Sequence, residues 1–318
     1  MEVRFWGTRG SLPASIKTEH IREKVEKVLE IAIKKGLGPD SDINAFIDNE
    51  LPFWLKGTYG TNTPCVEIRD GDEFVLCDGG TGLRDFSNQL PLIYGDHLPK
   101  EFHIVISHLH WDHIHGFPFF SPGFTKGTRI NIYGGHNNIR KAFSIQQGPP
   151  FFPLNFNDLK AEYRFFHLTS GKTYDIGGFK VTIKEQTHPG KSYGYRFEKN
   201  GKSVVYSTDS EHKSYNDNNS TSFTRFFSQA DLLIFDAQYT LVDAATIKEN
   251  WGHSNNLIGV ELAQKAEAKH LCLFHQDPSS TDEDLDKFLR DTRKLAYLLK
   301  EDGQLKVSIA SDGMVIKV

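Results

Sequence analysis

The run His108-Leu109-His110-Trp111-Asp112-His113 places three imidazoles and a carboxylate within six residues. Side chains of these types at this density suit a divalent metal ion. The run follows Ile104-Val105-Ile106, whose β-branched residues read as a buried strand, and it precedes Gly116 and Pro118, which break regular structure. The ligands are therefore expected on a loop at a strand end. On extended backbone His108 and His110 point to the same side and can grip one ion. On a helix they would diverge by about 200 degrees. Asp112 and His113 come where the chain turns, so they can face away from the first pair and serve a second ion. One short loop thus seeds a two-metal site, and such sites activate water for hydrolysis.

This run resembles the His-x-His-x-Asp-His signature of the metallo-β-lactamase fold superfamily, and the order of the surrounding motifs is similar over nearly the whole chain. The resemblance implies further ligands: His188 in Gln186-Thr187-His188-Pro189-Gly190, Asp209 in Tyr206-Ser207-Thr208-Asp209-Ser210, and His275 after Leu271-Cys272-Leu273-Phe274. It implies one ion on His108, His110 and His188, a second on Asp112, His113 and His275, and Asp209 bridging the two. Asp78, in Cys77-Asp78-Gly79-Gly80-Thr81-Gly82, resembles the aspartate that supports the ligands from behind. The implied cofactors are two divalent ions. Zinc suits histidine-rich ligation best, with manganese or iron compatible. The implied fold is a four-layer αββα sandwich with the metals at one rim of the sheets.

Trp251-Gly252-His253-Ser254, before a helical pattern from Asn255 to Ala268, resembles an element of the superfamily's phosphodiesterase branch. That branch includes transfer-RNA 3′-end endonucleases, cyclic nucleotide phosphodiesterases and a carbon-phosphorus pathway phosphodiesterase. The resemblance implies that His253 helps the leaving oxygen take a proton; capping or packing under the following helix is the alternative. Ser192-Tyr193-Gly194-Tyr195-Arg196 is also similar to this branch, with Ser192 either touching phosphate or serving as strand scaffold. Val3 to Ser11 and Tyr59 to Cys65 resemble the branch's first strand and hairpin. Residues 12 to 58 depart from it, because a short loop is expected there. Within them Ile21, Val25, Val28, Leu29 and Ala32 recur at helical spacing before Gly36, and residues 41 to 51 read as a second helix. This insertion could cover the cleft, bind a partner, form a homodimer contact or pack on the scaffold. Gln276, where relatives often carry another histidine, is a second departure.

The remaining pattern must position these groups. Strands are expected near residues 2–6, 64–69, 73–78, 102–107, 128–133, 179–186, 231–236 and 270–274, with two more at the end. Segments 193–199 and 202–207 flank Asn200-Gly201, a hairpin signal. Thr281 with Asp284 reads as the cap of a helix reaching about Lys300. The aromatic loops Phe117-Pro118-Phe119-Phe120 and Pro149-Pro150-Phe151-Phe152-Pro153 either wall the cleft, with Phe119 as a stacking surface, or pack into the core.

The 318 residues carry no linker-like or repetitive segment, so one hydrolase domain over 1–318 with the insertion at 12–58 is expected. A formal charge of −4 without blocks of like charge disfavours a grip on extended nucleic acid. Cys65, Cys77 and Cys272 lie in apolar stretches and read as reduced, buried thiols of a cytoplasmic protein. No apolar run of 18 residues suggests a membrane span. The expected activity is metal-dependent hydrolysis of a small phosphodiester, such as a cyclic nucleotide, by a hydroxide held between the ions, with Asp112 orienting it. Hydrolysis of a carbon ester, thioester or lactam, RNA processing, and a metal-bound sensor without turnover are the alternatives.

Overall fold

The computed structural model describes residues 1–212, 218–239, 251–300 and 305–318. Strand β1 (Glu2–Gly7) is followed by α1 (Thr18–Lys35), α2 (Ile43–Glu50) and the single turn α3 (Phe53–Lys56). Then come β2 (Cys65–Asp70), β3 (Glu73–Cys77), α4 (Gly82–Tyr94), β4 (Glu101–Ile106), the short α5 (Trp111–Ile114), β5 (Arg129–Gly134), α6 (Ile139–Gln146) and β6 (Glu162–His167). The second half runs β7 (Thr173–Ile176), β8 (Phe179–Gln186), β9 (Ser192–Lys199), β10 (Lys202–Ser207), α7 (Asn218–Phe227), β11 (Leu232–Asp236), α8 (Asn256–Lys265), β12 (His270–Phe274), α9 (Asp282–Leu299), β13 (Lys306–Ile309) and β14 (Val315–Lys317).

The strands form two seven-stranded sheets, ordered β14-β1-β2-β3-β4-β5-β6 and β13-β12-β11-β10-β9-β8-β7. Both sheets are covered on two faces, so their central strands are apolar throughout and alternate between two cores. In β11, Leu232 and Ile234 enter the core between the sheets, where they meet Val3, Phe5, Val66 and Val105 of the first sheet. Leu233 and Phe235 point the other way, toward α7, α8 and α9. On the first sheet Phe102, Ile104 and Ile106 pack outward against Leu83, Phe86 and Leu90 of α4. The result is the αββα sandwich.

The β9–β10 hairpin has Asn200 and Gly201 at φ +51° and +72°, the pair of positive angles that a two-residue turn matching strand twist requires. Several elements were not evident from periodicity. α4 buries Leu83, Phe86, Ser87 and Leu90, but Ser87, Asn88 and Gln89 dilute its apolar signal and Pro91 lies in its last turn. β6 and β7 carry exposed side chains at the sheet edges, where alternation is weak.

The insertion packs on the scaffold. Gly36 ends α1 at φ +70°, with Leu37 N–H donating to Ala32 O, and Asp42 caps α2 by accepting from Ala45 N–H. Phe46, Leu51 and Leu55 form a small core with Val28, Ile31 and Ala32. Lys24 of α1 reaches Asp282 at the start of α9 at 2.5 Å, and Lys27 reaches Glu283 at 2.6 Å. Asp282 also faces Arg9 at 3.8 Å. Arg9 is buried and donates to the carbonyls of Gly60, Asp277 and Ser280. The insertion is therefore tied to the loop that leaves β1.

Candidate two-metal active site

Six strand exits converge on one rim: β3 leads to Asp78, β4 to His108, β8 to His188, β10 to Asp209, β11 ends at Asp236 and β12 leads to His275. In β3–β4 and β10–β12 these are the carboxyl ends of parallel neighbours, where backbone groups and side chains are free to face a ligand. Asp78, Asp209 and His275, with Ser11 from the loop after β1, all have φ between +52° and +64°. Four left-handed residues other than glycine at one rim show a backbone bent sharply to aim side chains.

His108, His110 and His188 form one donor set, and Asp112, His113 and His275 another, with the ligand atoms of each within 4.8 Å of one another. His188 Nε2 lies 3.2 Å from His110 Nδ1, and His113 Nε2 lies 3.2 Å from His275 Nε2. Asp209 stands between the sets. Its Oδ1 is 3.7 Å from His108 Nε2 and 3.8 Å from His188 Nε2, while its Oδ2 is 3.2 Å from His113 Nε2 and 3.4 Å from His275 Nε2.

The residues fit divalent ions. His108 Nε2 is buried and lacks a hydrogen-bond partner while aimed at this cluster, which a metal bond would satisfy. Burial, reinforced by neighbouring His113, holds the His108 pKa well below its usual value, and burial also lowers those of His110 and His188. All three are thus poised as neutral ligands. Around His113 burial opposes the charged form, but Asp112, Asp209 and Asp78 outweigh it and raise its pKa well above the usual value. That crowd of carboxylates calls for positive charge at the second position.

Hydrogen bonds from behind select the nitrogen that His113 and His188 present. His113 donates through Nδ1 to Asp78 Oδ2 at 2.8 Å, leaving Nε2 for the cluster. The same carboxylate accepts from Ser107 N–H, Ser107 Oγ and Tyr206 OH, each at 2.7 Å. His188 donates through Nδ1 to the Gly252 carbonyl at 2.9 Å. Gly252 has φ +91°, and a Cβ there would lie 2.2 Å from His188 Nδ1. Gly10 is equally constrained, since a Cβ would lie 2.5 Å from the His275 ring.

His253 donates through Nδ1 to Asp236 Oδ2 at 2.7 Å and lies 3.7 Å from Asp209 Oδ1. Burial disfavours its charge, but Asp236 reverses the balance and raises its pKa to about 9. The helix cap is supplied instead by Asn255, which accepts from Ile258 N–H. His253 thus has a partner at the cleft and is not the cap of α8.

The cleft has a volume of about 380 Å³ and is walled by Ser11, Leu109, His110, Trp111, Asp112, Asp209, His253 and His275. A larger cavity, about 1070 Å³, opens at the opposite ends of the second sheet's strands, by Lys202, Asp231 and Lys269. Its charges pair with one another, as Lys269 does with Asp231 at 2.8 Å, and among the described residues it holds no metal-binding cluster.

Two expected contacts are not brought to the cleft. Ser192 is fully buried, and its hydroxyl donates to the Thr208 carbonyl at 3.3 Å, so it serves as scaffold for the Asp209 loop. Phe119 is exposed but stands edge-on to Phe152, outside the cleft walls, while Phe117 and Phe120 enter the core. Three residues of the site were not singled out from sequence. Asp236 ends a strand of buried apolar residues at the same rim as the ligands, a signal that could have found it. Ser11 donates its backbone N–H to Asp112 Oδ2 at 2.8 Å, a contact across 101 residues with no local signature. Trp111 was hidden inside the ligand run itself.

Comparison with known proteins agrees with this geometry. The family described as "Beta-lactamase superfamily domain" matches residues 73–276. Ribonuclease Z of Picrophilus torridus is 26% identical over 272 residues, covering 68% of this chain and 81% of its own length. The crystal structure of the metallo-beta-lactamase fold protein YhfI from Bacillus subtilis superimposes with a TM-score of 0.62 at 20% identity, covering 99% of each chain. Unliganded yeast PDE1 superimposes with a TM-score of 0.61 at 14% identity, covering 100% of this chain and 99% of its own. With its family match spanning more than half its length and its αββα fold shared with these structures, the chain belongs to the beta-lactamase superfamily and is a metal-dependent hydrolase.

Proposed function

We propose that this protein is a phosphodiesterase acting on a small phosphodiester, a cyclic nucleotide or a compound of similar size, with two divalent ions, zinc by ligand type. The observation that carries this reading is His253, pinned through Nδ1 by Asp236 at the wall of a cleft bearing two donor sets. Nδ1 being occupied, Nε2 is the nitrogen left to give a proton to a departing oxygen. The similarity to ribonuclease Z supports phosphodiesters as the substrate class.

His108, His110 and His188 would hold one ion, Asp112, His113 and His275 the other, and Asp209 both. Bound there, the ions would polarise the phosphoryl oxygens and lower the pKa of water. Asp112, its Oδ2 fixed by the Ser11 N–H, orients the attacking water. The water oxygen forms a bond to phosphorus, releasing its surplus proton to solvent, as the ester bond on the opposite side breaks. His253 supplies the proton that makes the leaving oxygen an alcohol, and Asp236 holds the ring in place for the transfer. The remaining product is a phosphomonoester.

RNA is the second reading, favoured by the ribonuclease Z similarity. The net charge of −4 and the absence of a basic block offer little grip on a long polyanion. A screen of protein loaded with zinc, manganese or iron separates these classes. Its substrates are bis(p-nitrophenyl) phosphate, cyclic nucleotides, short RNA and acyl esters, with Asp209→Ala as the blank. Turnover of the small diesters is expected. Turnover of acyl esters alone would sink the reading, and turnover of RNA alone would replace the small substrate with the polymer.

A further inference from the structure

We infer that Trp111 is the base-stacking platform of the cleft: the substrate carries a nucleobase whose flat face lies on this indole while its phosphodiester reaches the donor sets. The inference rests on the phosphodiesterase reading and names the group beside the phosphorus.

Trp111 is 80% exposed, the highest exposure among the large apolar side chains of the described residues, shared only with Ile33. It also lines the cleft. Among the described residues no ring stacks on it and no cation sits over it, whereas Trp6 packs on Phe86 and Trp54 lies under Lys27. An indole left in water forgoes the burial that places most tryptophans in cores or at binding surfaces. Trp111 is also held firmly. It is the first residue of α5, between His110 and Asp112, and its carbonyl accepts from His115 Nδ1 at 2.7 Å and from His115 N–H at 2.7 Å. Because both neighbours belong to the donor sets, the backbone that carries the ring stands at a set position relative to the reacting phosphorus.

The chemistry of the walls narrows what the ring receives. The cleft, about 380 Å³, is larger than a phosphodiester group alone would fill. Among the described residues, beyond the donor sets, Asp209 and His253, its walls offer Leu109, the indole and the Ser11 side chain. Among the described residues no Lys or Arg lines it, so these walls offer no counter-charge to a second phosphate or a run of backbone phosphates. A flat, uncharged ring fits an indole face and an apolar neighbour, and attached to a phosphodiester such a ring makes the ligand a nucleotide. Base–aromatic stacking tolerates any base, because every base has a π face.

Two sources share this chemistry, a free cyclic mononucleotide and the nucleotide beside the scissile bond of an RNA. Binding is read first, by exciting tryptophan in the zinc-loaded protein while titrating adenosine monophosphate or ribose 5-phosphate. Quenching by the nucleotide but not by the baseless sugar, lost in Trp111→Phe, is expected. Quenching that persists in Trp111→Phe overturns the inference, as does its absence from the parent protein. This measurement needs no turnover, so it stands or falls apart from the phosphodiesterase assignment.

Kinetics supply the second arm. The ratio of kcat/KM for a nucleobase diester to that for glycerophosphoglycerol should fall roughly ten- to a hundred-fold in Trp111→Ala and recover most of that loss in Trp111→Phe. Equal losses on both substrates would assign Trp111 a purely structural part and overturn the stacking role. With a cyclic mononucleotide and a short RNA run in parallel, the larger change in this ratio identifies the source of the base.

Discussion

The imidazole of His253 is bonded through Nδ1 to Asp236 Oδ2 at 2.7 Å, joining a loop histidine to the last residue of β11. A carboxylate so placed fixes the ring's orientation and favours its protonated form. His253→Ala should lower kcat on phosphodiesters by roughly 10² to 10⁴. Asp236→Asn should lower it by roughly 10 to 10³, because an amide can hold the wrong tautomer. Both are measured at saturating substrate, with metal content determined on the same samples. A parental kcat in His253→Ala would remove this pair from the reaction.

Gly252 sets a different limit. A methyl group there would stand 2.2 Å from His188 Nδ1, at a backbone angle that side chains rarely adopt. Gly252→Ala should displace His188 and its bond to the Gly252 carbonyl, weakening one ion by roughly 10- to 100-fold and leaving the other less affected. Calorimetric titration of metal into stripped protein separates the two sites. Two unaltered binding steps would show that the loop absorbs the methyl group.

Asp282 joins three parts of the chain. It accepts from Tyr59 N–H at 2.8 Å, pairs with Lys24 of the insertion and faces the buried Arg9, whose loop carries Ser11 to Asp112. Asp282→Ala should cost about 3 to 5 kcal/mol, since it takes a carboxylate from a buried guanidinium and leaves the Tyr59 N–H without its acceptor. Urea denaturation measures it. A loss below about 1 kcal/mol would mean that the carbonyls around Arg9 suffice for its charge.

His270 governs a pH effect away from the donor sets. Burial, with Lys306 and Arg293 nearby, lowers its pKa to about 4 from the ordinary 6.5, and its Nε2 meets Ser308 Oγ at 2.7 Å. The unfolded chain therefore binds a proton that the folded chain refuses between these values. The associated stability is complete above pH 6.5 and is lost as pH falls toward 4. It amounts to about 2 kcal/mol after allowance for partial solvation. Stability measured from pH 4 to 7.5 on metal-free parent and His270→Gln should give a difference that changes over this window. A constant difference would contradict the assignment.

Much of the scaffold was legible because its strands repeat a simple physical requirement. β11 and β12 are short apolar runs, as buried parallel strands must be, and Asn200-Gly201 marked a turn that needs two positive φ angles. Gly36 marked a helix end in the insertion for an equally local reason. α4 was illegible because polar residues interrupt its apolar stripe, and β6 and β7 because edge strands face water.

The sequence by itself determined the chemistry: six residues from His108 to His113 call for metal whatever the rest of the chain does, since ligand type and spacing are local properties. Through resemblance it also pointed to the distant residues that the structure brings beside them. Only the tertiary structure decided how these groups face one another, for convergence depends on where six strand exits meet. That is why Asp209 offers one oxygen to each donor set and why Asp236 holds His253. It is also why Ser192 turns inward, and why Trp111, one side chain in a metal-binding run, is the open aromatic face of the cleft.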